Sequence, residues 1–202
     1  MTFREYLRRI QSPTIKIGIA FFIITIITTF IYANNIFGVA DALQDIWDTF
    51  FASLGDLINE DGTIKPISLI LNNIQVCFLA FGLGIIPFLY VPALVLIINA
   101  VIIGVVLGIF YLESISIMLS RFLLGIVPHG ILELPAIFIA LACAFLLCHT
   151  ITKTILRKSH DITISQALFN GLKTIIFVCV PLMIIAGLIE VYITPQLLMM
   201  TM

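Results

Sequence analysis

Long apolar runs, broken by short polar intervals, dominate this chain. Crossing about 30 Å of hydrocarbon takes roughly 20 helical residues at about 1.5 Å each. Runs that long occupy 15–33, 67–90, 92–112, 129–150 and 172–193, and they predict five transmembrane helices. Ser114–Val127 is also apolar, but it is short and carries Arg121 in its middle. A charge at membrane centre costs at least about 2.5–3.5 kcal/mol, so this stretch is predicted as a short interfacial or re-entrant helix. Between the first two runs the period changes. Val39, Leu43, Ile46, Phe50, Leu54, Leu57 and Ile58 fall on one helical face, with Trp47 at its edge. Asp41, Asp45, Asp48 and Asp56 fall opposite, which predicts an amphipathic helix over 39–58 on the outer membrane surface. NEDGT at 59–63 is predicted as a turn. Tyr90–Pro92 leaves so little chain that the second and third spans are expected to form a tight helical hairpin. The fold class predicted is all-α: a polytopic membrane helical bundle forming a single integral membrane domain over 1–202.

Composition agrees. The chain is 61% hydrophobic and 10% charged, with mean hydropathy +1.22. A soluble domain is about half apolar and about a quarter charged. A net charge of -1 gives no basic signal for nucleic acid. The opening MTFREYLRRI could begin a signal peptide, but the run that follows is too long and no small-x-small cleavage site succeeds it, so a retained anchor is expected. Arg4, Arg8, Arg9 and Lys16 precede or open the first span, and Lys153, Arg157, Lys158 and Lys173 surround the loop after the fourth. The first loop instead holds Asp41, Asp45, Asp48, Asp56, Glu60 and Asp61. Five spans put both basic clusters on one side. The positive-inside rule makes that side cytoplasmic, giving a plasma-membrane protein with its N-terminus inside and its C-terminus outside. Cys77, Cys143, Cys148 and Cys179 form no CxxC pair and read as small packing residues.

Against this background the polar residues at membrane depth stand out. Asn72, Asn73 and Gln75 fall in the outer half of the second span, Glu113 at the outer rim of the third, His129 and Glu133 in the first turns of the fourth, and Glu190 in the outer half of the fifth. Asn99 is the exception, nearer the cytoplasmic half. His129 and Glu133 are spaced to share a helix face and contact each other. Pro128 suits a helix start, and Pro135 removes one backbone hydrogen bond and favours a kink. A metal site needs at least three protein ligands, and only two are in register, so no metal or cofactor is predicted. HExxH is absent. Intramembrane hydrolysis would need a nucleophile or paired carboxylates, and no catalytic residue is assigned. Two uses stay open for the polar face: interhelical hydrogen bonding that fixes the bundle, or a solute or proton pathway. Gly104 and Gly108 form a GxxxG, and with Gly82 and Gly84 they predict close helix packing.

The stretch PHGILELPAIFIA resembles the signature of the stage II sporulation protein M family, through Pro128, His129, Gly130, Glu133 and Pro135. Asn72-Asn73 opening an earlier span and Asn99 in the next are similar to the family too. Asn99 is followed by Ala100 where the family has glycine, and Ala142-Cys143-Ala144 replaces a glycine-rich continuation. The family's namesake takes part in engulfment during spore formation and is similar to a scaffold for cell-wall hydrolases, while many members belong to organisms that make no spores, archaea included. The resemblance therefore implies a distant, non-sporulation member: a non-enzymatic scaffold or subunit of a membrane complex. Its expected partners are membrane lipid and a membrane protein or second copy, with no nucleic acid. The alternative is a small permease-like transport component using the outer-leaflet polar cluster.

Overall fold

The computed structural model describes residues 1–40, 42, 65–158 and 161–200. The predicted amphipathic helix over 39–58, apart from residues 39, 40 and 42, and the turn at 59–63 lie outside the described residues. Those residues contain no strand, and five helices among them are long and apolar enough to cross a membrane.

Helix α1, Phe3–Ala33, starts earlier than the first apolar run because a capping box precedes it. The Thr2 hydroxyl accepts from the Glu5 N–H, and the Thr2 N–H donates to Glu5 Oε2 at 2.8 Å. The helix continues through Pro13 and ends where Asn35, Phe37 and Gly38 enter the left-handed region.

Helix α2, Pro66–Leu83, is shorter than the predicted 67–90, and the tight hairpin is not formed. Pro87 disfavours helical backbone at Ile86, and Phe88 and Tyr90 take positive φ values of 67° and 45°. Residues 84–91 instead fold over the end of the fourth long helix. The Phe88 N–H donates to Thr152 Oγ1 at 2.9 Å, and Tyr90 Oη lies 3.1 Å from His149 Nδ1. Helix α3, Pro92–Glu113, then leaves α2 and packs along α1. Its GxxxG makes that seam. A Cβ on Gly104 would lie 2.6 Å from Thr28 Cβ, and one on Gly108 would lie 2.8 Å from the Tyr32 ring. Gly82, by contrast, has open space around it.

Ser114 breaks the chain with extended backbone, and its hydroxyl accepts from the Ile117 N–H at 3.1 Å. Helix α4, Ile115–Arg121, follows, then a π-helical turn at Phe122–Ile126, then α5, Val127–Ile155. The short helix predicted over Ser114–Val127 exists, but it is continuous with the fourth span. The combined helix has 41 residues, about 60 Å, roughly twice the hydrocarbon thickness. Pro128 is therefore not at a true helix start. Having no N–H, it cannot continue the ordinary ladder. The chain accommodates this by widening the preceding turn, so that the Val127 N–H reaches back five residues to the Phe122 carbonyl. The helix also runs on through Pro135 without ending.

The same device recurs in the fifth span. Helix α6, Ile164–Thr174, begins at a Thr163–Gln166 capping box. A π turn at Ile175–Cys179 precedes Pro181 at the same two-residue offset, with the Val180 N–H reaching the Ile175 carbonyl. Helices α7, Val180–Tyr192, and α8, Thr194–Met199, complete a 36-residue run that encloses the predicted 172–193.

Helix α5 is the hub, packed on α1, α2, α6 and α7. Leu141, Cys143 and Leu147 are fully buried there, beside Tyr6, Phe21, Ile175 and Met183. All four cysteines are buried and free, as packing residues would be. Helix α1 lies at the margin: Ile15, Ile19, Phe22, Ile26 and Phe30 are exposed along it, a surface suited to acyl chains and not to water. Arg9 of α1 lies 3.5 Å from Asp161, in the connection between α5 and α6. The two predicted basic regions therefore share one end of the bundle, as five antiparallel spans require.

Candidate functional site: a polar cavity between four helices

Helix α3 follows α1 and stands away from α2 and α5. A cavity of about 610 Å³ opens between α2, α3, α5 and α7. Its wall is mostly aliphatic, from residues such as Val76, Val95, Ile103 and Ile137. Into it come Asn72 and Asn73 from α2, Asn99 from α3, His129 and Glu133 from α5, and Glu190 from α7. All the polar residues singled out at membrane depth line this one space except Gln75, on the exposed side of α2, and Glu113, at the exposed end of α3. Asn99, expected to stand apart, is among them. Its Nδ2 donates to the Val95 carbonyl of its own helix at 2.8 Å.

Two expectations change here. His129 and Glu133 share a helix face but form no ion pair or hydrogen bond with each other. His129 Nδ1 instead lies 3.4 Å from Thr194 Oγ1, at the head of α8. Thr194 is buried and was not marked by sequence. It follows Glu190 by four residues, across the break at Ile193 that separates α7 from α8. The second change concerns ligand number. Sequence spacing put only two metal-ligating groups in register. The fold adds Glu190, and one donor atom from each of His129, Glu133 and Glu190 lies within 4.8 Å of the others. One carboxylate oxygen, Glu190 Oε2, is buried without a hydrogen-bond partner.

The remaining motif residues act through the backbone. Pro128 sets the π turn immediately before His129. The motif glycine is not explained by packing: a Cβ on buried Gly130 would meet nothing closer than Ile126 Cγ2 at 3.8 Å. The first π turn runs directly into the cavity lining at Ile126 and His129, while the second lies 11 residues before Glu190; π-bulges of this kind recur at functional sites. Val-Pro follows each π turn, at 127–128 and 180–181, but it also occurs at 91–92 where no π turn precedes it, so the dipeptide alone does not signal the device.

Fold and site together define a multi-pass helical membrane protein with a polar cavity at membrane depth. The family model for Stage II sporulation protein M matches residues 18–195, and the chain belongs to that family. It is also similar to Uncharacterized protein MJ0793 of Methanocaldococcus jannaschii, at 32% identity over 130 residues, which is 64% of this chain and 71% of that protein. An archaeal relative agrees with the expectation of a non-sporulation member. No solved structure matches the chain. Neither the family's description nor the relative's carries a sign of catalysis.

Proposed function

We propose that this protein is a small permease-like membrane component whose cavity holds a polar or charged solute. The observation that carries this reading is the meeting of six polar side chains from four helices in one cavity of about 610 Å³. Polar groups that merely lock a bundle pair off with one another or with backbone. Here Glu190 keeps an unpartnered oxygen, and an ionisable group left so in an apolar wall marks a ligand or ion pathway. The scaffold reading keeps the support of the family resemblance; of the two segments through which it would dock, the first-loop helix lies outside the described residues and the other is the loop between Lys153 and Lys173. Glu133 and Glu190 do meet, which is one condition set for intramembrane hydrolysis. We read the protein as non-enzymatic, because neither the family's description nor the relative's carries a sign of catalysis.

The arrangement in the membrane follows the same reading: N-terminus cytoplasmic, C-terminus outside. It is supported by the basic groups gathered at the end of the bundle where Arg9 meets Asp161. Thiol labelling tests both points, in a background with the four native cysteines replaced by alanine. Asn72→Cys and Asn99→Cys should react with a small water-soluble thiol reagent in membranes, while Phe22→Cys on the lipid-facing side of α1 should not. If neither cavity position reacts, the reading falls. Lys158→Cys should react only after permeabilisation and Asp61→Cys from outside; the opposite pattern reverses the orientation.

A further inference from the structure

The solute class can be narrowed from the donor set. We propose that His129, Glu133 and Glu190 bind a divalent transition-metal ion of the Mn²⁺, Fe²⁺ or Zn²⁺ class. This rests on the cavity being a ligand site, as argued above. The three donors come from α5 and α7 and lie within 4.8 Å of one another, close enough that side-chain movements of about 1 Å would bring them to the bonds near 2.0–2.2 Å that a single ion among them requires. Charge points the same way. Two carboxylates this close in an aliphatic surround repel each other, and no cationic side chain faces them, because the cavity wall contains neither lysine nor arginine. A 2+ ion between two carboxylates and a neutral imidazole brings the net charge to zero, the state that a low-dielectric site tolerates best. The unpartnered Glu190 Oε2 is then a ligand atom, not an orphan.

The donor types select among metals. One imidazole disfavours Mg²⁺ and Ca²⁺, which prefer all-oxygen shells, and the absence of thiolate disfavours Cu⁺. Thr194 supplies the outer contact: its hydroxyl at His129 Nδ1 holds the ring and leaves Nε2 free to coordinate. Three protein ligands leave at least one position for water or for a carboxamide oxygen of the asparagines in the wall. An incomplete protein shell of that kind suits an ion that must enter and leave.

The test uses the full-length protein purified in detergent, stripped with chelator and then dialysed against Mn²⁺ or Zn²⁺, with metal content measured by mass spectrometry. The expected result is one ion per chain. Glu133→Gln, Glu190→Gln and His129→Ala should each abolish it, while Glu113→Gln at the exposed end of α3 leaves it intact. Thr194→Val should weaken binding about tenfold and Thr194→Ser should restore it, as outer contacts to metal-bound histidines do. Each variant is first required to elute as the parent does on size exclusion. Should a histidine or glutamate variant fail that step, the threonine pair decides the question. Failure of the parent to bind, binding insensitive to the substitutions, or Mg²⁺ competing at equal concentration overturns the proposal. The labelling experiment keeps the two readings apart. If Asn72→Cys and Asn99→Cys react but no metal binds, the cavity takes some other polar solute; if they do not react, the cavity reading fails as well.

Discussion

The seam between α1 and α3 and the cavity between α2, α3, α5 and α7 use polar residues at the same depth in opposite ways. In the seam the hydroxyls of Thr25 and Thr29 both find main-chain acceptors. Thr25 donates to the Ala100 carbonyl at 3.3 Å, and Thr29 to the Thr25 and Gly104 carbonyls at 2.9 and 3.0 Å. Small residues let the backbones approach, and the polar groups close on the neighbouring main chain. In the cavity the polar side chains are longer, the backbones stand apart, and carboxylates face space. Polarity within a membrane therefore does not itself mark a site; what sets the cavity apart is that its polar groups stay open.

Closing or opening either region should break this contrast. The largest effect is expected from Gly104→Leu. Its Cβ alone would crowd Thr28 and the Thr25 carbonyl, and overpacking of that kind costs about 1–3 kcal/mol. A clearly lowered melting temperature in detergent is the expected result; an unchanged one would mean that α1 and α3 do not pack as described. Thr29→Val should cost less, about 0.6 kcal/mol and at most about 1.7, the range for interhelical hydrogen bonds in membrane. Reversible unfolding of the variant measures it, and a larger loss would mean the hydroxyl does more than bridge the seam. The smallest effect is expected from Glu133→Gln in the metal-free protein, a change under about 0.5 kcal/mol or a slight gain, because it removes a repelling charge and no bond. A marked loss of thermal stability would restore the direct His129–Glu133 pairing that the spacing suggested.

Much of the bundle was legible because hydrophobic length is a local property. The third span was placed within a residue or so at either end, since proline and an extended serine bound it. Errors arose where a boundary depends on something other than apolarity. Residues 84–90 are apolar enough to continue α2, yet Pro87 and two left-handed residues turn them across α5. Ser114–Val127 is short and charged, yet a serine cap and one π turn join it to the fourth span. The candidate site was legible as a set of unusual residues but not as a site. Four-residue spacing suggested that His129 would meet Glu133, whereas the histidine's nearest polar partner is 65 positions away.

What the sequence alone determined is the class: five apolar lengths, a basic end, and rare polar residues whose cost in lipid demands a use. These follow from residue type and period, which carry no information about distance between segments. Only the tertiary structure decided which polar groups close and which stay open. That outcome depends on how near two backbones come: the glycines of α3 draw it against α1, and by doing so hold it away from α2. The gap left there opens onto His129, Glu133 and Glu190, which the packing of α7 on α5 brings together across a separation that no spacing along the chain relates.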